Sequence, residues 1–96
     1  KIPVVPLPSF FSPEQIFHAL NLAGVSHILS PKGLVATGLF PTKTFDKHTA
    51  KITFTSGTTG TPKGVCLSAE GLEKVAQSIV EVLDSEIAAR HVSILP

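Results

Sequence analysis

Thr53-Phe54-Thr55-Ser56-Gly57-Thr58-Thr59-Gly60-Thr61-Pro62-Lys63-Gly64-Val65 lies just past the middle of this chain. From Thr55 to Gly64 it carries three glycines, five hydroxyl side chains and one lysine. That composition suits polyphosphate. Glycine tolerates positive φ, so neighbouring backbone N–H groups can turn toward a common centre. Serine and threonine hydroxyls add rotatable donors, and lysine adds a compact positive charge. The flanks supply context: Lys51 to Thr55 alternates as a strand entering the loop, and Val65 to Leu67 reads as a second short strand leaving it.

Spacing removes the familiar alternatives. A G-x-x-x-x-G-K-[ST] loop needs its second glycine where this chain has Pro62, counting from Gly57, or Val65, counting from Gly60. Gly57, Gly60 and Gly64 do not fit G-x-G-x-x-G, and no serine here occupies a G-x-S-x-G elbow. A Gly/Thr/Pro-rich turn without a ligand is the plain reading. Against it stands a proline fixed beside a lysine between two glycines, which is not generic turn chemistry.

The run T-S-G-T-T-G-T-P-K-G over Thr55–Gly64 closely resembles the phosphate-binding loop of the adenylate-forming superfamily. That superfamily includes acyl-CoA synthetases, aryl-acid ligases, luciferases and the adenylation domains of peptide synthetases. Upstream, Val5-Pro6-Leu7-Pro8, then Ser12-Pro13-Glu14-Gln15-Ile16 heading a helix that ends Ala23-Gly24-Val25, is similar to the corresponding segment of acyl-CoA synthetases, as is the terminal Ser93-Ile94-Leu95-Pro96. One local departure follows Ser68: relatives often place a histidine or a basic residue there, and this chain has Ala69, Glu70 and Gly71.

The resemblance implies an α/β fold: a βαβ-type layered unit that is a partial piece of the large N-terminal domain of an adenylate-forming enzyme. Its expected parts are a βαβ unit over 1–30, strand, phosphate loop and strand over 51–67, and helix and strand over 68–96. It also implies a fragment. Family members run several times longer, and this chain begins at Lys1, contains no methionine and stops at Pro96. The implied activity is that of an AMP-forming acyl ligase. A carboxylic acid, here expected to be a fatty acid, attacks the α-phosphorus of ATP to give an acyl-adenylate and pyrophosphate, and coenzyme A then takes the acyl group.

By the same resemblance, Thr55, Ser56, Thr58 and Thr59 donate hydrogen bonds to the phosphates. Gly57, Gly60 and Gly64 allow close approach, Thr61 is held extended by Pro62, and Lys63 offers charge. ATP with Mg²⁺ and coenzyme A are the implied cofactors. The family's Mg²⁺-binding glutamate, ribose-binding aspartate, acyl pocket and catalytic lysine would fall beyond Pro96. No catalytic residue and no metal ligand is therefore expected within these residues, and the piece alone is expected to be inactive. Rival readings are a non-catalytic nucleotide- or anion-binding module, an adenylation domain of the peptide-synthetase type, and an interaction domain in which the loop is only a turn.

The rest of the chain frames this loop. Ile2 to Pro8 is apolar but proline-rich, hence extended, with a short or edge strand at Val4 and Val5. Ser12, Pro13 and Gln15 form a capping box with proline at the first helical position. Phe11 and Ile16 stand at the staple positions, and Gly24 fits the residue after the helix, which predicts a helix over Pro13–Ala23 with Ile16, Phe17, Leu20 and Ala23 as its apolar stripe. Val25 to Ser30 is a short strand, expected to run parallel to the Val4 segment. Leu34 to Ala50 reads as an irregular connection with one short strand at Leu34 to Ala36. Ser68 caps a second helix with an apolar face of Leu72, Val75, Ala76, Ile79 and Leu83, expected to pack on a sheet, and Glu70 precedes Lys74 by four. His91 to Leu95 reads as a buried strand.

A net charge of +1 supplies no field for nucleic acid or an anionic membrane, and Lys43, Lys47 and Lys51 read as a solvated face. A single cysteine forms no internal disulfide, there is no signal-peptide pattern, and no apolar run approaches the roughly 20 residues of a membrane span, so the expected location is cytoplasmic. His18, His27, His48 and His91 lack the i+2, i+3 or i+4 pairing of metal ligands. Asp46, His48 and Ser56 are the residue types of a hydrolase triad, but the serine has no elbow. Cys66 is expected to be a small buried strand residue. Exposed sheet edges and apolar faces are expected to drive self-association.

Overall fold

The computed structural model describes residues 2–40, 44–55 and 60–83. Within them the order is α1 (Pro13–Ala23), β1 (His27–Ser30), β2 (Gly33–Ala36), β3 (Thr49–Thr55), β4 (Lys63–Ser68) and α2 (Ala69–Val82), giving a mixed α/β piece with two two-stranded antiparallel sheets, β1–β2 and β3–β4.

Local sequence dictates α1 at both ends. The Gln15 backbone N–H donates to Ser12 Oγ at 3.2 Å, and the Ser12 N–H donates to Gln15 Oε1 at 2.9 Å, which satisfies two groups that a helix start leaves without partners. Gly24 ends the helix at φ 58° and ψ 45°, a left-handed conformation that costs glycine nothing. The Val25 N–H then returns to the Leu20 carbonyl at 3.0 Å. Ser12→Ala is expected to lower stability by about 1 kcal/mol. Urea denaturation of the protein checks this, and an unchanged midpoint would show that the box does not hold the helix.

α1 turns Ala19 and Ala23 onto Ile52 and Phe54 of β3, and these four with Phe11 are the buried core, flanked by Val5, Leu7, Ile16, Leu22, Val25 and Phe45. Small alanines let the helix lie close to the strand. Phe17, expected in the stripe, is 68% exposed, because it falls on the side of α1 away from β3.

Strand pairing differs from expectation. β1 pairs with β2, not with the Val4 segment, in the register His27↔Ala36 to Ser30↔Gly33. Pro31 and Lys32 close that hairpin with Gly33 at φ 115°, and the Ser30 hydroxyl accepts the Lys32 N–H at 3.2 Å. A hairpin closed through two residues costs far less chain entropy than a parallel crossover. The Thr37 N–H continues the ladder to Ser26 O at 2.9 Å, and the Thr37 hydroxyl donates to the Val25 carbonyl.

Val4 instead makes its parallel bridge to Lys51 of β3. Its N–H donates to Ala50 O at 3.0 Å, and its carbonyl accepts the Ile52 N–H at 2.9 Å. The β3–β4 register shifts between Thr49 and Lys51, which leaves Ala50 without a Cα partner on β4. Ahead of β3, Asp46 shapes the entering turn: its carboxylate accepts the His48 N–H at 2.7 Å, and its carbonyl accepts the Thr49 N–H at 2.9 Å.

α2 starts as expected, with Ser68 Oγ accepting the Gly71 N–H at 3.1 Å and Lys74 paired to Glu70 at 2.7 Å. Its packing differs. α2 reaches β3 and β4, yet every one of its residues is exposed, Ile79 by 53%, and no described residue lies over Val75, Ile79 and Val82. The helix rises directly from β4, and the core forms on α1 instead. The expected strand His91 to Leu95 falls outside the described residues.

Candidate functional site

The β3–β4 hairpin brings the two ends of the glycine–threonine loop together. Its last rungs are Phe54↔Gly64 and Thr55↔Lys63. Thr55 ends β3 as expected, but β4 begins before Val65: Lys63 and Gly64 belong to it, so the connecting segment is shorter than the ten-residue motif. Ser56, Gly57, Thr58 and Thr59 lie outside the described residues.

Alternation along the strands sorts the side chains by face. Ile52 and Phe54, only 2% and 4% exposed, share their face with Gly64 and Cys66 and turn toward α1. Thr53, Thr55, Lys63 and Val65 take the opposite face. Thr55 and Lys63 are exposed cross-strand neighbours, and the Thr55 hydroxyl approaches Lys63 O at 3.5 Å. The Thr53 hydroxyl is buried with no hydrogen-bond partner among the described residues. Among those residues the one ion pair is Lys74–Glu70, so no described carboxylate neutralises Lys63.

The two described loop glycines answer different demands. Gly60 sits at φ 76° with open space where a side chain would be, so its demand is conformational. Gly64 is steric: a Cβ there would stand 3.3 Å from Cε1 and Cζ of Phe54 and 3.4 Å from Ile52 Cγ2. Thr61 is exposed, and Pro62 beside it is buried. Anchored by Pro62 and the Phe54–Gly64 rung, the loop presents Thr55, Gly60, Thr61 and Lys63 to solvent rather than beneath other side chains.

Cys66 is exposed, not buried as expected from Val65 and Leu67 beside it. It borders a cavity of about 150 Å³ with Leu22, Ala23, Phe45, Ile52, Phe54 and Gly64. A larger, open and apolar groove of about 440 Å³ runs along α2 through Val75, Ile79 and Val82, on the helix and not at the hairpin end. No group of three or more His, Cys, Asp or Glu residues that could hold a metal occurs among the described residues. Asp46 and His48, set aside as triad residues for want of a serine elbow, shape the turn into β3 through the Asp46 carboxylate and the His48 backbone N–H. No helix among the described residues is long and apolar enough to cross a membrane.

Sequence reasoning missed the part played by Phe54. The signal was present as the alternation Ile52-Thr53-Phe54-Thr55, but its partner Gly64 follows only once the number of residues bridging the hairpin is known.

A family model described as AMP-binding enzyme matches residues 41–96, which take in β3, the loop, β4 and α2. The upstream likeness at Val5–Pro8 and Ser12–Ile16 lies outside the matched residues. No curated protein and no solved structure matches the chain.

Proposed function

The chain belongs to the AMP-binding enzyme family, and from that premise we propose that it is part of a longer AMP-forming acyl ligase, to which it contributes the ATP phosphate-binding loop. Enzymes of this family use ATP with Mg²⁺. The observation that supports the reading is the face shared by Thr55 and Lys63 at the end of the hairpin, exposed and turned away from the core on α1.

In this reading Thr55 to Gly64 encloses the β- and γ-phosphates. Backbone N–H groups freed by Gly57 and Gly60, and hydroxyls of Thr55, Ser56, Thr58, Thr59 and Thr61, hold the pyrophosphate in line with the incoming carboxylate oxygen. Lys63 meets the charge that grows on pyrophosphate as the bond to the α-phosphorus breaks. The substrate is a fatty or related carboxylic acid, the acceptor is the thiol of coenzyme A, and the single cysteine suits a reducing cytoplasm.

Acid-dependent exchange of labelled pyrophosphate into ATP by the full-length protein tests this. Exchange with fatty acids, followed by acyl-CoA formation, is the expected result. Exchange without acyl-CoA would point to a carrier-protein thiol, and no exchange with any carboxylic acid would leave only a nucleotide- or anion-binding module.

A further inference from the structure

We propose that Phe54 is a positioning residue for Lys63, acting through the bare backbone of Gly64; the inference rests on the reading of Lys63 as the phosphate-facing cation. Phe54 is 4% exposed and is fixed from one side by the core that α1 completes through Ala19 and Ala23. On its other side the ring lies against Gly64, with two ring atoms 3.3 Å from where a Cβ would stand. β4 is therefore seated on the ring at the one residue whose missing side chain permits it.

That contact occupies the rung immediately before Thr55↔Lys63, the last one before the loop. One peptide unit separates Gly64 from Lys63. A shift of Gly64 by a few tenths of an ångström thus passes directly into the Lys63 backbone, with no flexible side chain between to absorb it. Lys63 itself points to the opposite face and makes no ion pair among the described residues, so the rung beneath it, rather than a carboxylate partner, fixes where its stem begins. Gly64 in this account is not a point of ligand approach but the seat of the strand that carries the cation.

The test is a double-mutant cycle in the full-length protein, read by acid-dependent ATP–pyrophosphate exchange. Gly64→Ala, which adds one methyl against the ring, and Phe54→Leu, which keeps an apolar side chain but removes the plane, are each expected to lower exchange about tenfold, a part of the roughly hundredfold that a misplacement of about 1 Å costs. In a Lys63→Ala background the same two changes are expected to lower it no further than about twofold, because the group they position is gone. A merely structural role would lower both backgrounds equally. Equal losses would overturn the inference while leaving the phosphate reading standing, as would Gly64→Ala and Phe54→Leu at full activity. Lys63→Ala at full activity would remove the phosphate reading and this inference with it. Should either single variant misfold, as judged by circular dichroism, the other completes the cycle. Should both misfold, the size-swapped pair Phe54→Leu/Gly64→Ala is compared with and without Lys63.

Discussion

Lys63→Ala in the full-length enzyme is expected to lower acid-dependent ATP–pyrophosphate exchange by about a hundredfold or more while leaving thermal unfolding where it is. The magnitude is that of removing one preorganised donor from a site where charge develops in the transition state. The unchanged stability follows from the structure: Lys63 is exposed, lies on the face away from the core, and forms no ion pair among the described residues, so its loss uncovers nothing buried. Lys63→Arg keeps the charge but replaces a point donor on a flexible stem with a planar fork, and is expected to recover only part of the rate. Exchange within twofold of the unaltered enzyme for the alanine variant would remove Lys63 from the site.

Phe54→Ala is expected to cost stability rather than chemistry alone, by about 3 to 5 kcal/mol. The ring is one of the five side chains of the buried core and touches both of its layers, α1 and β4. A loss of that size is a large share of the roughly 5 to 15 kcal/mol that holds a typical domain together. Chemical denaturation of the full-length protein reads it as a shifted midpoint for the unit that contains β3. A loss below about 1 kcal/mol, the scale of an ordinary surface or minor core change, would show that the ring is not what joins α1 to the hairpin.

What the sequence made legible was what neighbours in the chain decide. Ser12, Pro13, Gln15 and Gly24 bound α1 at the expected residues because each acts within one helical turn. Ser68 and the Glu70–Lys74 pair set the start of α2 for the same reason. A strand on each side of the loop was equally plain, since apolar alternation flanks a glycine-rich break. Partner choice was not legible. The Val4 segment and β1 both read as strands, but only the tight closure at Pro31 and Lys32 commits β1 to β2 and leaves Val4 for Lys51. Burial failed where it depends on a second layer. Cys66 and the apolar side of α2 have the composition of covered surfaces, and no described residue covers them. At the site, the chemistry of the motif could be read from residue types, whereas the seat of Gly64 on Phe54 required the register.

The two sets of rungs on β3 form under very different constraints. Those to β4 join residues brought near by one short connection, while the rung to Val4 joins positions separated by α1, a second hairpin and the turn at Asp46. Closing the longer ring costs more chain entropy, and contacts between distant residues slow folding. The hairpin that bears Thr55 and Lys63 therefore has the means to assemble early, and docking of the amino-terminal segment along its outer edge becomes a late step, one that sets how quickly the finished molecule appears and not whether the loop's two ends meet.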